Sequence, residues 1–101
     1  VDVMDVSTGG IMSGVSIPVK PNYQVPFSEQ VKAKADIPVT AVGLITKPKQ
    51  AAKILAHGEA DAVEIGRAAL RDPYWPLRAA NKLGIPSTEV PYAPQYVAGA
   101  Y

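Results

Sequence analysis

Cysteine is absent from this chain, which excludes disulfides, thiolate metal sites and cysteine nucleophiles. The lack fits a reducing compartment, and a cytoplasmic location is the expectation. Charge of one sign is lacking too: ten Lys and Arg against nine Asp and Glu leave a formal +1. That balance gives no electrostatic reason to expect nucleic acid or an anionic membrane as a partner. No apolar run approaches the roughly 18 residues of a membrane span. Histidine occurs once. A Walker motif, a GxGxxG, a metal-ligand cluster and a Ser/His/Asp set are all missing, so no metal is expected.

What is present begins with size. A chain of 101 residues, 48% apolar, holds at most one domain with a real core. Eight of its ten prolines gather around residues 18–26, 73–76 and 86–94, marking loops and a tail. Val1 to Val6 is β-rich and nearly continuous in apolar character, as a parallel strand covered on both faces would be. Val1 already stands inside that strand, which reads as a processed chain or a piece of something longer. Ser7-Thr8-Gly9-Gly10 ends it, and a loop without periodicity runs to Val25. A loop of that length in a compact domain is usually functional or mobile.

Pro26 to Ala35 reads as a helix, with Phe27, Val31 and Ala35 on one face. Val39 to Ile45 is a second apolar strand. Thr46 is the expected N-cap of a helix from Pro48 to His57, with Ala51, Ala52, Ile54 and Leu55 turned inward and Gly58 at a left-handed C-cap. Asp61 to Ile65 is a third strand. It ends in Gly66-Arg67, a new helix starts at once, and Asp72-Pro73 closes that helix. Tyr74 to Leu83 is helical and Gly84 stops it. From Ile85 onward the chain turns to Pro, Tyr, Ala and Val, an extended tail. Strands alternating with helices argue for βαβ units and a parallel sheet, whose two open edges need partners.

The residue types that carry chemistry are few. Gly66 lets a ligand approach the backbone, Arg67 offers a planar fork of donors, and a helix start adds free N–H groups. Together they form a phosphate seat; alternatively they are a tight strand-to-helix turn with a solvated arginine. Gly43, near the end of the second strand, either admits a ligand or relieves crowding between strand and helix. Ser7 and Gly9 either line a ligand beyond the first strand or simply make a glycine turn. His57 belongs to the last turn of its helix, where a cation meets the negative end of the dipole. Asp5 and Glu64 are strand carboxylates with nothing in the sequence to place them within reach of one another. Arg71 and Asp72 are expected to tie the short helix to its neighbours, and Arg78 and Lys82 to form a solvated face. Trp75, Tyr74 and Phe27 read as core.

Four stretches occur in an order that resembles a known family. They are Val3-Met4-Asp5-Val6-Ser7-Thr8-Gly9-Gly10, Asn22-Tyr23-Gln24-Val25-Pro26-Phe27, Ala41-Val42-Gly43-Leu44-Ile45 and Ala60 to Pro73, which contains Gly66-Arg67. Together they resemble the C-terminal part of the old yellow enzyme family, in its bacterial NADPH dehydrogenase (xenobiotic reductase-like) branch. The resemblance implies an α/β fold made of the last three βα units of a (βα)8 TIM barrel, over residues 1–84, followed by an extended tail over 85–101. It implies FMN as cofactor and NAD(P)H as co-substrate, with hydride passed through FMN to an activated alkene or enone. Gly66 and Arg67 match the family's phosphate-binding Gly-Arg, Gly43 matches the glycine at the end of strand seven, and Ser7 and Gly9 match the loop after strand six, near the flavin; all five are expected to bind the cofactor. No catalytic residue is expected within the chain, because the family's His/His or His/Asn pair and its Tyr lie upstream. Relatives carry an arginine near the C-terminus that reaches a neighbouring subunit; Gln95 to Tyr101 has none. A homo-oligomer, or association with the missing barrel part, is the expected assembly. Glu64 stands where an apolar residue is expected. Rival readings are a different flavin or phosphate-binding barrel, of the dihydroorotate- or IMP-dehydrogenase type, and a non-catalytic assembly module.

Overall fold

A computed structural model of the chain describes residues 1–101. Three short strands, β1 (Met4–Val6), β2 (Val39–Ala41) and β3 (Ala62–Val63), form one sheet in the order β1-β2-β3. Both pairings are parallel, with Met4 opposite Val39, Thr40 opposite Ala62 and Ala41 opposite Val63. Between and after them come the helices α1 (Val25–Lys32), α2 (Pro48–Ala56), α3 (Arg67–Arg71) and α4 (Trp75–Lys82). The segment after Gly84 is not uniformly extended: it makes two 3-10 turns, Ser87–Glu89 and Pro94–Gly99.

Side chains alternate across a strand, so Val6, Val39, Ala41 and Val63 share one face of the sheet. That face meets the helices. Val25 of α1, Ala51 and Ile54 of α2, and Ile45 and Ala60 from the turns close over Ala41, and Val63, Ile65 and Trp75 pack against this cluster. Ile54 is fully buried. The opposite face carries Asp5, Thr40 and Ala62 in one row. Ser28 is a buried polar residue with a clear role: its hydroxyl donates to the carbonyls of Val25 (2.8 Å) and Glu59 (3.1 Å), joining α1 to the approach of β3. Lys32 pairs with Asp61, and the Asp61 carboxylate also accepts the Val39 N–H at 2.9 Å. One carboxylate thereby joins α1, β2 and β3. These contacts hold the Asp61 carboxyl below its ordinary pKa, the Lys32 hydrogen bond first and the Val39 amide second.

Several expectations need correction. The strand expected over Val39 to Ile45 pairs only to Ala41, because Gly43 (φ 124) and Leu44 (φ 50) turn the backbone out of the ladder. The helix expected from Pro26 begins at Val25 and ends at Lys32, residues 33–35 forming only a bonded turn. Thr46 is not the N-cap of α2. Lys47 occupies that position, and the Gln50 side chain accepts the N–H groups of Thr46 (3.0 Å) and Lys47 (3.3 Å). Phe27 and Tyr74 are exposed rather than core, and Leu55 turns outward from α2. Arg78 is not merely solvated, since it pairs with Asp72. The left-handed Gly58 (φ 69) after α2 is as expected.

Both outer strands leave an edge unpaired. Large apolar side chains stay open near them: Val3 just before β1, Met4 on it, and Leu70 (86% exposed) on α3 just beyond β3. No helix is long and apolar enough to cross a membrane.

Candidate anion-binding cavity

Parallel strands bring the turns that follow them to one end of the sheet. There, between the approach to α1, the turn after β2 and the turn after β3, lies a cavity of about 160 Å³. Its wall includes Gln24, Gly43, Ile45, Glu64, Gly66 and Arg67. A site enclosing a whole small molecule usually measures upwards of about 300 Å³. This one therefore suits one end of a ligand.

The donors in its wall are unusual. The backbone N–H groups of Gly43, Leu44, Ile45, Gly66, Arg67 and Ala68 donate to no carbonyl and no side chain of the chain. Gly43, Ile45 and Ala68 are buried. More than about nine in ten buried backbone N–H groups in folded proteins have a partner, and an orphan costs about 1–3 kcal/mol. Gly66, Arg67 and Ala68 have the free amides of any helix start, and with the three of the turn after β2 they form a ready set of donors for an anion.

Arg67 adds the charge. The chain's ion pairs are Lys32–Asp61 and Arg78–Asp72, which leaves the exposed Arg67 guanidinium without a carboxylate partner. The helix start expected to reinforce the seat is slight: α3 has five residues, too few for much of a dipole. Arginine and amides carry the site. Glu64 is the carboxylate in the wall, and the Thr40 hydroxyl donates to it across the sheet. That bond explains how an acidic residue is accommodated at a position where an apolar one was expected.

The two glycines differ in kind. Gly43 is required by its own surroundings: a Cβ there would lie 3.1 Å from the Gln24 nitrogen and 3.2 Å from Tyr23 Cδ1, at φ +124. The crowding comes from the segment preceding α1, whose Asn22 N–H donates to the Gly43 carbonyl at 3.0 Å, and not from strand against helix. Gly66 has nothing within 4 Å of its would-be Cβ. The fold does not demand a glycine there, and the space beside it is open.

The structure therefore brings Gly43, Gly66 and Arg67 together. Ser7 and Gly9 do not join the wall. Gly9 (φ +92) turns inside its own loop, with a would-be Cβ 3.0 Å from Ile17 Cδ1. The loop reaches the cavity indirectly, because the Thr8 N–H donates to the buried Gln24 side chain. Gln24 escaped sequence reasoning, as did Asn22 and Gln50. The one local signal was Pro21-Asn22, a pair suited to a turn, where Asn22 adopts φ 63.

With this geometry in place, the profile of the NADH:flavin oxidoreductase / NADH oxidase family matches residues 2–85. The chain belongs to that family. It is 51% identical over 85 residues to a protein named NADPH dehydrogenase from Geobacillus thermodenitrificans, covering 84% of this chain and 25% of that protein. A namesake from Geobacillus sp. is 46% identical over 99 residues, covering 98% of this chain and 28% of its own length. One from Bacillus licheniformis is 48% identical over 83 residues, covering 82% and 24%. The chain thus spans about a quarter of the length of the curated relatives it matches.

Proposed function

We propose that residues 1–84 are the last three βα units of a (βα)8 barrel, that residues 85–101 are its tail, and that the cavity seats the phosphate of FMN. The whole protein is then an NAD(P)H-dependent flavoenzyme that reduces activated C=C bonds. The observation that carries this reading is the cluster of six unpaired N–H groups beside an arginine without a carboxylate partner, in a chain of a flavin oxidoreductase family. A phosphate monoester offers three acceptor oxygens and up to two negative charges, which suits amides and a guanidinium better than any neutral group. In (βα)8 barrels such a seat commonly lies in the loops after strands seven and eight, the places β2 and β3 would take.

When bound, FMN supplies the redox chemistry, taking hydride from NAD(P)H and giving it to the β-carbon of an alkene or enone. The chain's own residues anchor one end of it. Arg67 would hold phosphate oxygens by charge-assisted hydrogen bonds, the amides of the turn after β2 would add neutral donors, and Gly66 leaves the approach clear. The rest of the barrel would cover both sheet edges, and a homo-oligomer is the proposed assembly.

The test is Arg67→Ala in the complete barrel. FMN affinity should fall by about 1.5–3 kcal/mol, the value of a hydrogen bond to a charged group. An unchanged affinity in a fluorescence titration would sink the assignment.

A further inference from the structure

We infer that Gln50 is a positioning residue for this seat, a role that rests on the FMN reading above. Gln50 stands in the first turn of α2 and does not line the cavity. A primary amide has two donor hydrogens and two acceptor lone pairs. The Gln50 side chain uses all four. Its Oε1 accepts from the N–H groups of Thr46 (3.0 Å) and Lys47 (3.3 Å), and its Nε2 donates to the Leu44 carbonyl (2.9 Å) and to Asn22 Oδ1 (2.6 Å).

The partners explain what this does. Leu44 and Thr46 flank Ile45, so two of the bonds grip the turn that carries the unpaired N–H groups of Gly43, Leu44 and Ile45. Leu44 sits at φ 50, a left-handed conformation that apolar side chains rarely adopt, and Asn22 sits at φ 63. Such backbone persists only where the surroundings over-determine it. The bond to Asn22 reaches the opposite wall, where Tyr23 and Gln24 follow directly. One side chain thus bridges both walls of the seat, beside the backbone bond from the Asn22 N–H to the Gly43 carbonyl, and that side chain is the partner of Asn22 Oδ1. Trp75 adds an outer brace, its Nε1–H donating to the Thr46 carbonyl at 3.0 Å.

The discriminating ligand pair is FMN and riboflavin, which share ring and ribityl chain and differ by the phosphate. Gln50→Met keeps the length of the side chain and removes all four hydrogen bonds. In the complete apo-barrel it should weaken FMN binding about tenfold and leave riboflavin binding within about twofold. Asn22→Gly keeps the φ 63 backbone, adds no charge and removes only the acceptor that Gln50 Nε2 reaches, and should lose about threefold for FMN alone. If Gln50→Met does not fold, Asn22→Gly decides by the same ratio. A parallel loss for both ligands, or none for FMN while Arg67→Ala still loses FMN selectively, overturns the role of Gln50 and leaves the seat standing. If Arg67→Ala also fails to separate the two ligands, the seat falls and the role of Gln50 with it.

Discussion

The contrast between Gly43 and Gly66 gives the sharpest test of how the seat is built. Gly43→Ala would push a methyl group to 3.1 Å from the Gln24 nitrogen and 3.2 Å from both Gln24 Cβ and Tyr23 Cδ1. The nearest of these is backbone, held in place by the Asn22–Gly43 hydrogen bond, and cannot swing aside. Overpacking of this kind costs about 1–3 kcal/mol, and a side chain at φ +124 about 1–3 kcal/mol more. The sum, about 2–6 kcal/mol, is a large share of the 5–15 kcal/mol that holds a typical domain together. Gly66→Ala meets no atom within 4 Å, so it carries no overpacking cost and should lose less stability than Gly43→Ala. Urea unfolding of the complete apo-barrel separates the two variants without any ligand. FMN titration should then invert the ranking of interest: Gly66→Ala keeps its fold yet loses affinity, because its methyl group occupies the space the phosphate would take. A Gly43→Ala protein as stable as its parent would refute the packing argument. A Gly66→Ala protein binding FMN like its parent would refute the claim that the ligand comes close there.

Two further outcomes concern the scaffold. Asp61→Asn should lower the melting temperature at neutral pH, and the difference should vanish in acid. The folded carboxyl lies below its ordinary value of 3.8, so its contribution is complete above that value and is lost as pH falls through the folded pKa. A difference that persists well below pH 3.8 would show that charge is not the cause. Trp75→Phe removes the Nε1–H bond to the Thr46 carbonyl and should cost about 0.5–1.5 kcal/mol in denaturant unfolding, a loss of nothing contradicting the brace.

The alternation of strand and helix was legible because it depends on local signals. Apolar runs at 1–6, 39–45 and 61–65 each contain a strand, though a shorter one (Met4–Val6, Val39–Ala41 and Ala62–Val63), and prolines mark helix starts and Gly58 a helix end. What failed was whatever tertiary contact decides. Thr46 had the right chemistry for an N-cap, but Lys47 takes that position, and the Thr46 N–H is itself held by the Gln50 side chain from the first turn of α2. Leu44 carries no sequence mark of a left-handed residue, so the early end of β2 could not be read. Phe27 looked like core because helical periodicity marks a face without saying what covers it. Arg67 was legible as chemistry, yet its freedom from any carboxylate, which turns a solvated arginine into a candidate ligand, is a property of the folded chain alone.

The position of the cavity also bears on what the chain leaves undone. All three strands run parallel, so the turns after β2 and β3 share one end of the sheet, and the helix that follows β2 starts at that end and finishes at the other. His57, directly after α2, therefore lies at the far end from Arg67 and cannot serve the cavity as a base. Of the carboxylates, Asp5 lies on the strand beyond β2, and Glu64 lines the wall with one oxygen accepting from the Thr40 hydroxyl. The donors that remain, amides and a guanidinium, stabilise negative charge and do not move protons at neutral pH. A wall dominated by such donors suits the anchoring of an anionic group more than the movement of protons, which is the division of labour expected where a bound cofactor carries the chemistry.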